Sequence, residues 1–233
     1  MRVNALVVAA GGGKRIGSDI SKPFLPVGNR PLILHTLSRF AESQTVRKVV
    51  LLTAGKEVSR CRDLIRSDSQ LSSLECVLWS GGPRRQDSVS LGLAQLDADC
   101  EVVVIHDGVR PFVSSRLIDR CVEVAFREGA VVVGVPVRDT IKVISADRHV
   151  RETPMRDSLW EIQTPQVFRI EIIREAYHRA AQQGTEATDD AMLVERLGKS
   201  VTLLEGHTTN IKITVPEDLL FAEALLREGR VPP

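Results

Sequence analysis

Residues 3–24 read VNALVVAAGGGKRIGSDISKPF, and the fold turns on how that stretch is read. A run of small and β-branched apolar residues ending at Ala9 and Ala10 meets three glycines, Gly11, Gly12 and Gly13, and two cations, Arg15 and Lys22, lie just beyond. A continuous apolar run of this length suits a strand buried on both faces, and a glycine turn after it lets backbone N–H groups approach a ligand closely. Cations nearby point to an anion such as a phosphate. The glycines alone are equally compatible with a plain strand-to-helix turn.

Working outward, similar runs recur at 48–53 (KVVLLT), 75–79 (ECVLW), 101–106 (EVVVIH), 130–137 (AVVVGVPV) and 201–205 (VTLLE). Helical patterns lie between them, from Pro31 and from Ser114, where Leu117, Ile118, Cys121, Val122 and Ala125 make one apolar stripe. A last helix is expected with Thr214 as N-cap, Pro216 in the first turn and Glu217 at the capping-box position. This alternation predicts an α/β fold with a doubly wound, mostly parallel sheet, a Rossmann-like arrangement that gathers ligands at the carboxyl ends of its strands. Residues 137–160, VRDTIKVISADRHVRETPMRDSLW, break the rhythm. They are polar and turn-rich, and read as a protruding β-hairpin, either a surface excursion or a dimerisation arm. With no repeat or linker, residues 1–233 are expected to form one domain carrying that arm.

Composition narrows the function. Thirty-one Lys and Arg against thirty Asp and Glu leave a formal charge of +1, so no global field draws the chain to nucleic acid or to an anionic membrane. Any anion site must be local. Cys61, Cys76, Cys100 and Cys121 form no CxxC pair, which fits reduced thiols in a cytoplasmic protein. No apolar run approaches the roughly 18 residues of a membrane span, and the first residues have too brief an apolar stretch for export. Two phosphate motifs fail on counting. Gly13-Lys14 is followed by Arg15 where a Walker A loop needs Ser or Thr, and Ile16 stands where the dinucleotide fingerprint needs its third glycine.

The run Ala9-Ala10-Gly11-x-Gly13-x-Arg15, with Lys22 seven residues later, resembles the signature loop of sugar-nucleotide and related nucleotidyltransferases. GGPRRQDSV, IHDGVRPFV, VPVRDTIK, RDSLWEIQTPQVF, ATDDAMLVE and NIKITVPEDL follow in order. Together they resemble the 2-C-methyl-D-erythritol 4-phosphate cytidylyltransferase (IspD) family nearly end to end. The resemblance implies attack by the phosphate of methylerythritol phosphate on the α-phosphorus of CTP, with pyrophosphate leaving, in non-mevalonate isoprenoid precursor synthesis. Such a reaction is mainly positioning and electrostatic stabilisation by cations and a metal.

By the same resemblance Arg15 and Lys22 stabilise the transition state, and the loop from Ala9 to Gly13 cradles the triphosphate. Gly81, Gly82 and Ser88 serve cytosine and ribose. Asp107, just past an apolar strand, suits Mg²⁺ or a substrate hydroxyl, with the ion held by it or mainly through CTP phosphates. Arg110, Thr140, Arg156, Thr164 and Thr188 match the family's acceptor contacts, and Lys212 reaches the reacting phosphate. His106 reads as packed or orienting, because an anionic nucleophile needs no histidine base. Pro23 and Pro83 depart from residues frequent in relatives, and Pro83 removes a backbone donor near the base. The resemblance also implies a homodimer in which each arm carries Thr140 and Arg156 to the neighbour's Lys22. The nearest alternative is a ribitol-phosphate cytidylyltransferase; a non-catalytic nucleotide-binding module is a more distant one.

Overall fold

A computed structural model describes residues 1–11 and 20–231, so Gly12, Gly13 and Arg15 lie outside the described residues. Seven strands form one central sheet: β1 Val3–Ala9, β2 Val46–Thr53, β3 Glu75–Ser80, β4 Val102–Asp107, β5 Ala130–Pro136, β6 Trp160–Arg169 and β7 Thr202–Glu205. Their order across the sheet is β7-β5-β6-β4-β1-β2-β3, and every neighbouring pair is parallel except those made by β6. The helices are α1 Leu32–Ala41, α2 Val58–Ser67, α3 Arg85–Leu93, α4 Ser115–Glu128, α5 Ile170–Gln183, α6 Asp190–Glu195 and α7 Pro216–Arg227.

The apolar run of β1 is buried on both faces. Val3, Ala5, Val7 and Ala9 join the core with Leu37 and Phe40 of α1 and Ile118, Cys121, Val122 and Ala125 of α4. Leu6 and Val8 face the other way, onto Val89 and Leu93 of α3 and Ile173 and Tyr177 of α5. Period-2 alternation thus feeds two helical layers from one strand. From β1 the chain steps outward through β2 to β3, then returns to place β4 on the opposite side of β1. The crevice between the ends of β1 and β4 is therefore a topological switch point, where open α/β sheets bind ligands.

Two expectations are corrected. The central strand β6 is absent from the strands read off the sequence, because Gln163, Thr164, Pro165 and Gln166 interrupt its pattern. Its pairing with β5 shifts register between Gln163 and Gln166, so Pro165 sits at a bulge and owes no ladder hydrogen bond there. The polar side chains are buried and anchor other segments: Gln166 Oε1 accepts from the Asp190 and Ala191 N–H groups. At α7 the capping carboxylate is Asp218, not Glu217. It accepts from the N–H groups of Thr214 and Val215 at 2.6 and 2.9 Å and from the Thr214 hydroxyl at 2.8 Å, and Val215 is the N-cap.

Between β5 and β6 the chain leaves the sheet. Its only regular pairing among the described residues is a short antiparallel ladder, Val143–Ile144 against Val150–Glu152, followed by a 3₁₀ turn, Arg156–Ser158. The excursion starts after Pro136 and ends before Trp160, which already belongs to β6.

Candidate active site

The end of β1 and the end of β4 open onto a cavity of about 560 Å³. Ala9, Ala10 and Gly11 form one edge, and Gly82 and Ser88 another. The loop before α3 comes this close because residue 81 is glycine: a Cβ there would stand 2.5 Å from the Ala10 Cβ and 2.8 Å from the Ser88 hydroxyl. That hydroxyl accepts from the Gly82 N–H at 3.0 Å. Pro23 and Pro83 also line the cavity.

Cations and one carboxylate occupy the floor. Lys22 is brought in by a 3₁₀ turn, Lys22–Phe24, and its ammonium donates to the Thr214 carbonyl at 3.0 Å. Lys212 enters from the segment between β7 and α7 and stands 2.8 Å from Asp107 Oδ2. Arg85, the first residue of α3, donates through Nε to Asp107 Oδ1 at 2.9 Å. Burial pushes the Asp107 carboxyl up, but Arg85 and Lys212 outweigh it and hold the group well below the usual carboxylate range. Asp107 is an anion here at any ordinary pH.

Behind the carboxylate lies a neutral relay. The Asp107 N–H donates to Thr164 Oγ1 at 3.1 Å, which leaves the threonine proton for His106 Nδ1 at 3.0 Å. The imidazole proton is then on Nε2, 3.1 Å from the Arg110 carbonyl. Burial lowers this histidine to about 4, and its ring meets Phe40 edge-on at 5.5 Å. His106 is thus a packed, orienting group, and Thr164 lies beneath Asp107 with its proton used internally.

A second cavity of about 410 Å³ adjoins the first and shares Lys212. Arg110 lines it, with its Nη1 donating to the Asn210 carbonyl at 2.7 Å and its Nε 4.0 Å from Asp107 Oδ2. Thr140, Arg156 and Thr188 are exposed and line neither cavity. The Arg156 guanidinium donates to the Arg138 carbonyl at 3.2 Å, and the Thr188 hydroxyl points at Met192 Sδ, 3.8 Å away. One chain therefore gathers Ala9–Gly11, Lys22, Gly82, Ser88, Asp107, Arg110 and Lys212, keeps Gly81 and Thr164 just behind them, and leaves three expected contacts outside.

Sequence reasoning gave no role to Arg85 or Asp190, although GGPRRQDSV and ATDDAMLVE contain them. Arg85 spans Asp107 and the buried Asp190, whose Oδ2 is 2.8 Å from the guanidinium. The signal was a second carboxylate in Asp189-Asp190 with only one needed to cap α6, the role Asp189 takes by accepting from the Met192 N–H at 3.0 Å.

The donor set does not suit a resident metal ion. Both Asp107 oxygens face cations, and among the described residues no group of three or more His, Cys, Asp and Glu side chains could hold one.

The family profile described as "2-C-methyl-D-erythritol 4-phosphate cytidylyltransferase" matches residues 3–228. A protein of that name from Geotalea uraniireducens is 46% identical over 229 residues, covering 97% of both chains. Another from Alkaliphilus metalliredigens is 42% identical over 229 residues, covering 98% of this chain and 95% of the relative. The crystal structure of 4-diphosphocytidyl-2C-methyl-D-erythritol synthase from Anaerococcus prevotii superposes with a TM-score of 0.85 at 31% identity, over 97% of this chain and 96% of that one. The Thermus thermophilus 2-C-methyl-D-erythritol 4-phosphate cytidylyltransferase gives 0.78 at 37% identity, over 97% and 100%. Sequence and fold agree over nearly the whole chain, and the chain belongs to the 2-C-methyl-D-erythritol 4-phosphate cytidylyltransferase (IspD) family.

Proposed function

We propose that the chain joins CTP and 2-C-methyl-D-erythritol 4-phosphate into 4-diphosphocytidyl-2-C-methyl-D-erythritol and pyrophosphate, a step toward isoprenoid precursors. The observation that carries this reading is the pair of lysines, Lys22 and Lys212, on the wall of one cavity with the end of β1. A phosphate oxygen of the acceptor forms a bond to the α-phosphorus as the bond to the bridging oxygen of pyrophosphate breaks. The nucleophile is already an anion, so no base is required, and what the site supplies is fixed positive charge where negative charge accumulates. Lys22 and Arg15 serve the triphosphate, and Lys212 holds the acceptor phosphate where the two cavities meet. Gly82 in the loop before α3 and Ser88 at the start of α3 face cytosine and ribose, with Gly81 behind them letting the loop come close. A magnesium ion would be held by the nucleotide rather than by Asp107, both of whose oxygens face cations, and would supply further positive charge to the triphosphate.

Two of the remaining acceptor contacts, Thr140 and Arg156, come from a second copy. Thr140 and Arg156 sit on an excursion whose large apolar side chains face solvent, with Ile144 59%, Val150 60% and Met155 76% exposed. A surface of that kind is covered when two arms pack around a two-fold axis. Each arm then delivers Thr140 and Arg156 to the neighbour's Lys22. Unpaired cysteines and the absence, among the described residues, of a helix able to cross a membrane support a cytoplasmic location. Incubation with CTP, Mg²⁺ and a panel of polyol phosphates, read by product mass, tests the assignment. Methylerythritol phosphate is expected to be preferred, and equal turnover of ribitol phosphate overturns it.

A further inference from the structure

Charges alternate in a line that leaves the cavity and runs under α3. Lys212 meets Asp107, Asp107 meets Arg85, and Arg85 meets Asp190, whose Oδ1 accepts from the Tyr177 hydroxyl at 2.6 Å. Asp107 and Asp190 are 6% and 1% exposed, so neither carboxylate is balanced by water. The backbone behind Asp190 is fixed as well, its N–H donating to Gln166 of the central strand β6 at 3.0 Å. The rest of the α3 start is tied to the same loop. Gln86 donates to the Thr185 carbonyl at 2.9 Å and accepts from the Ala187 N–H at 3.0 Å, and Arg84 pairs with Glu186.

A buried ion chain is a poor way to stabilise a fold, because apolar residues of the same volume often do as well or better. What such a chain supplies is direction. The guanidinium is planar and always charged, with donors on two edges, so it can hold two carboxylates at a fixed separation; a lysine offers one point charge. Here Nε donates to Asp107, and Nη2 stands 2.8 Å from Asp190 Oδ2 as a buried ion pair without hydrogen-bond alignment. The charge count is also telling: Lys212, Arg85 and Arg110 against Asp107 and Asp190 leave one net positive charge beside the cavity.

We propose that Arg85, held from behind by Asp190, is a positioning residue for the transfer: it fixes the Asp107 carboxylate and, through it, the Lys212 ammonium at the place where the reacting phosphate lies. This rests on the cytidylyltransferase reading above. Arg85 acts through Asp107 and needs no contact with the nucleotide.

The test compares the full-length enzyme with Arg85→Gln, Arg85→Lys, Asp190→Asn and the double variant Arg85→Gln/Asp190→Asn. Arg85→Gln is expected to lower kcat about 10- to 100-fold, the scale of a misplaced reacting group, with KM for CTP within about threefold of wild type. Arg85→Lys recovers little of that loss. Asp190→Asn moves kcat the same way by less, and the double variant is no worse than Arg85→Gln because the two act as one unit. A merely structural role would leave the pH profile alone. Asp107 is faced by Arg85 from α3, by Arg110 from its own turn, by Lys212 from the segment before α7, and by the neutral His106 beside it. Removing Arg85 raises the carboxyl's pKa, so the acid limb of kcat shifts to higher pH. A raised KM for CTP at unchanged kcat makes Arg85 a nucleotide contact and overturns the proposal, as does an additive double variant or an unmoved acid limb. If Arg85→Gln does not fold, the nearly isosteric Asp190→Asn carries the same readouts. Wild-type protein inactive on CTP and methylerythritol phosphate would sink the functional reading, whereas variants with normal kcat sink only this inference.

Discussion

The floor of the cavity and the arm at residues 137–159 are opposites in construction. On the floor a buried carboxylate has a cation on each oxygen, a threonine on its backbone N–H and a histidine behind that threonine. On the arm, side chains that should bind or pack lie in solvent, and the ladder is held by local bonds such as Ser145 N–H to the His149 carbonyl at 2.9 Å. Two antiparallel strands this short do not hold their shape alone in water. The difference is what the shared-site proposal rests on. Lys22, Asp107, Arg110 and Lys212 are assembled within one chain, whereas Thr140 and Arg156 are displayed outward.

If the floor is pre-built, damaging it should cost stability as well as activity. Asp107→Ala leaves Arg85, Lys212 and Arg110 facing one another without their shared anion, and breaking a buried pair by removing one partner costs about 3–5 kcal/mol. Chemical denaturation of the variant measures it. A loss below about 1 kcal/mol would mean that these cations are hydrated and the floor is no more organised than the arm.

How much of this is legible in the sequence depends on how far apart the interacting residues lie. β1 can be read directly, since a both-faces-buried strand writes itself as one apolar run. The same logic hides β6, whose polar residues are internal anchors: Gln166 looks solvent-facing in sequence yet is buried against α6. Lys22, Asp107 and Lys212 were legible through motif order, while their convergence was not, because Lys22 and the Thr214 carbonyl are separated by 192 residues. Arg85 was invisible as a linker for the same reason. Its carboxylates come from β4 and α6, and an arginine in a turn carries no mark of its partners.

A second contrast is in pH response. Burial lowers His106 from 6.5 to about 4, so between those values the unfolded chain binds a proton that the folded chain refuses. Stability therefore falls as pH drops from about 6.5 to 4, by about 3 kcal/mol from this group. His35, lowered for the same reason, adds loss of the same sign. Asp107 is depressed in the fold, so its contribution persists down to the ordinary carboxylate value of 3.8 and is lost only below it. Denaturation midpoints at several pH values should show the steeper decline in wild type and a shallower one in His106→Asn. Equal slopes would show that the relay behind Asp107 is open to water.

The shared-site proposal is sharpened by mixing chains. Lys22→Ala and Arg156→Ala proteins are each expected to be nearly inactive, since one fixed charge aimed at the transition state is worth about 10²-fold or more. Co-folding them in equal amounts makes half of the dimers mixed, and each mixed dimer has one doubly broken site and one intact site. Activity should recover to about a quarter of wild type. If both residues served a site within their own chain, none could be whole. Absence of recovery, with mixed dimers verified by native mass measurement, refutes the shared site.

The smallest expected effect is on the arm itself, and it separates the two regions most cleanly. Ile144 and Val150 lie opposite each other in the short ladder, and both are more than half exposed. Replacing both by serine removes one cross-strand pair and little else from the chain's own fold, so the stability of the isolated chain should change by less than about 1 kcal/mol. If a second copy covers them, the same substitutions remove apolar area from the dimer, and burial of each such side chain is worth roughly 1.5–3 kcal/mol. The dimer should then dissociate at concentrations at least about tenfold higher, as followed by sedimentation. A large loss in the chain's own stability would instead mean that the arm packs on its own body. An unchanged dissociation constant would mean that the partner sits elsewhere, and Arg156 would then need another route to the neighbour's Lys22.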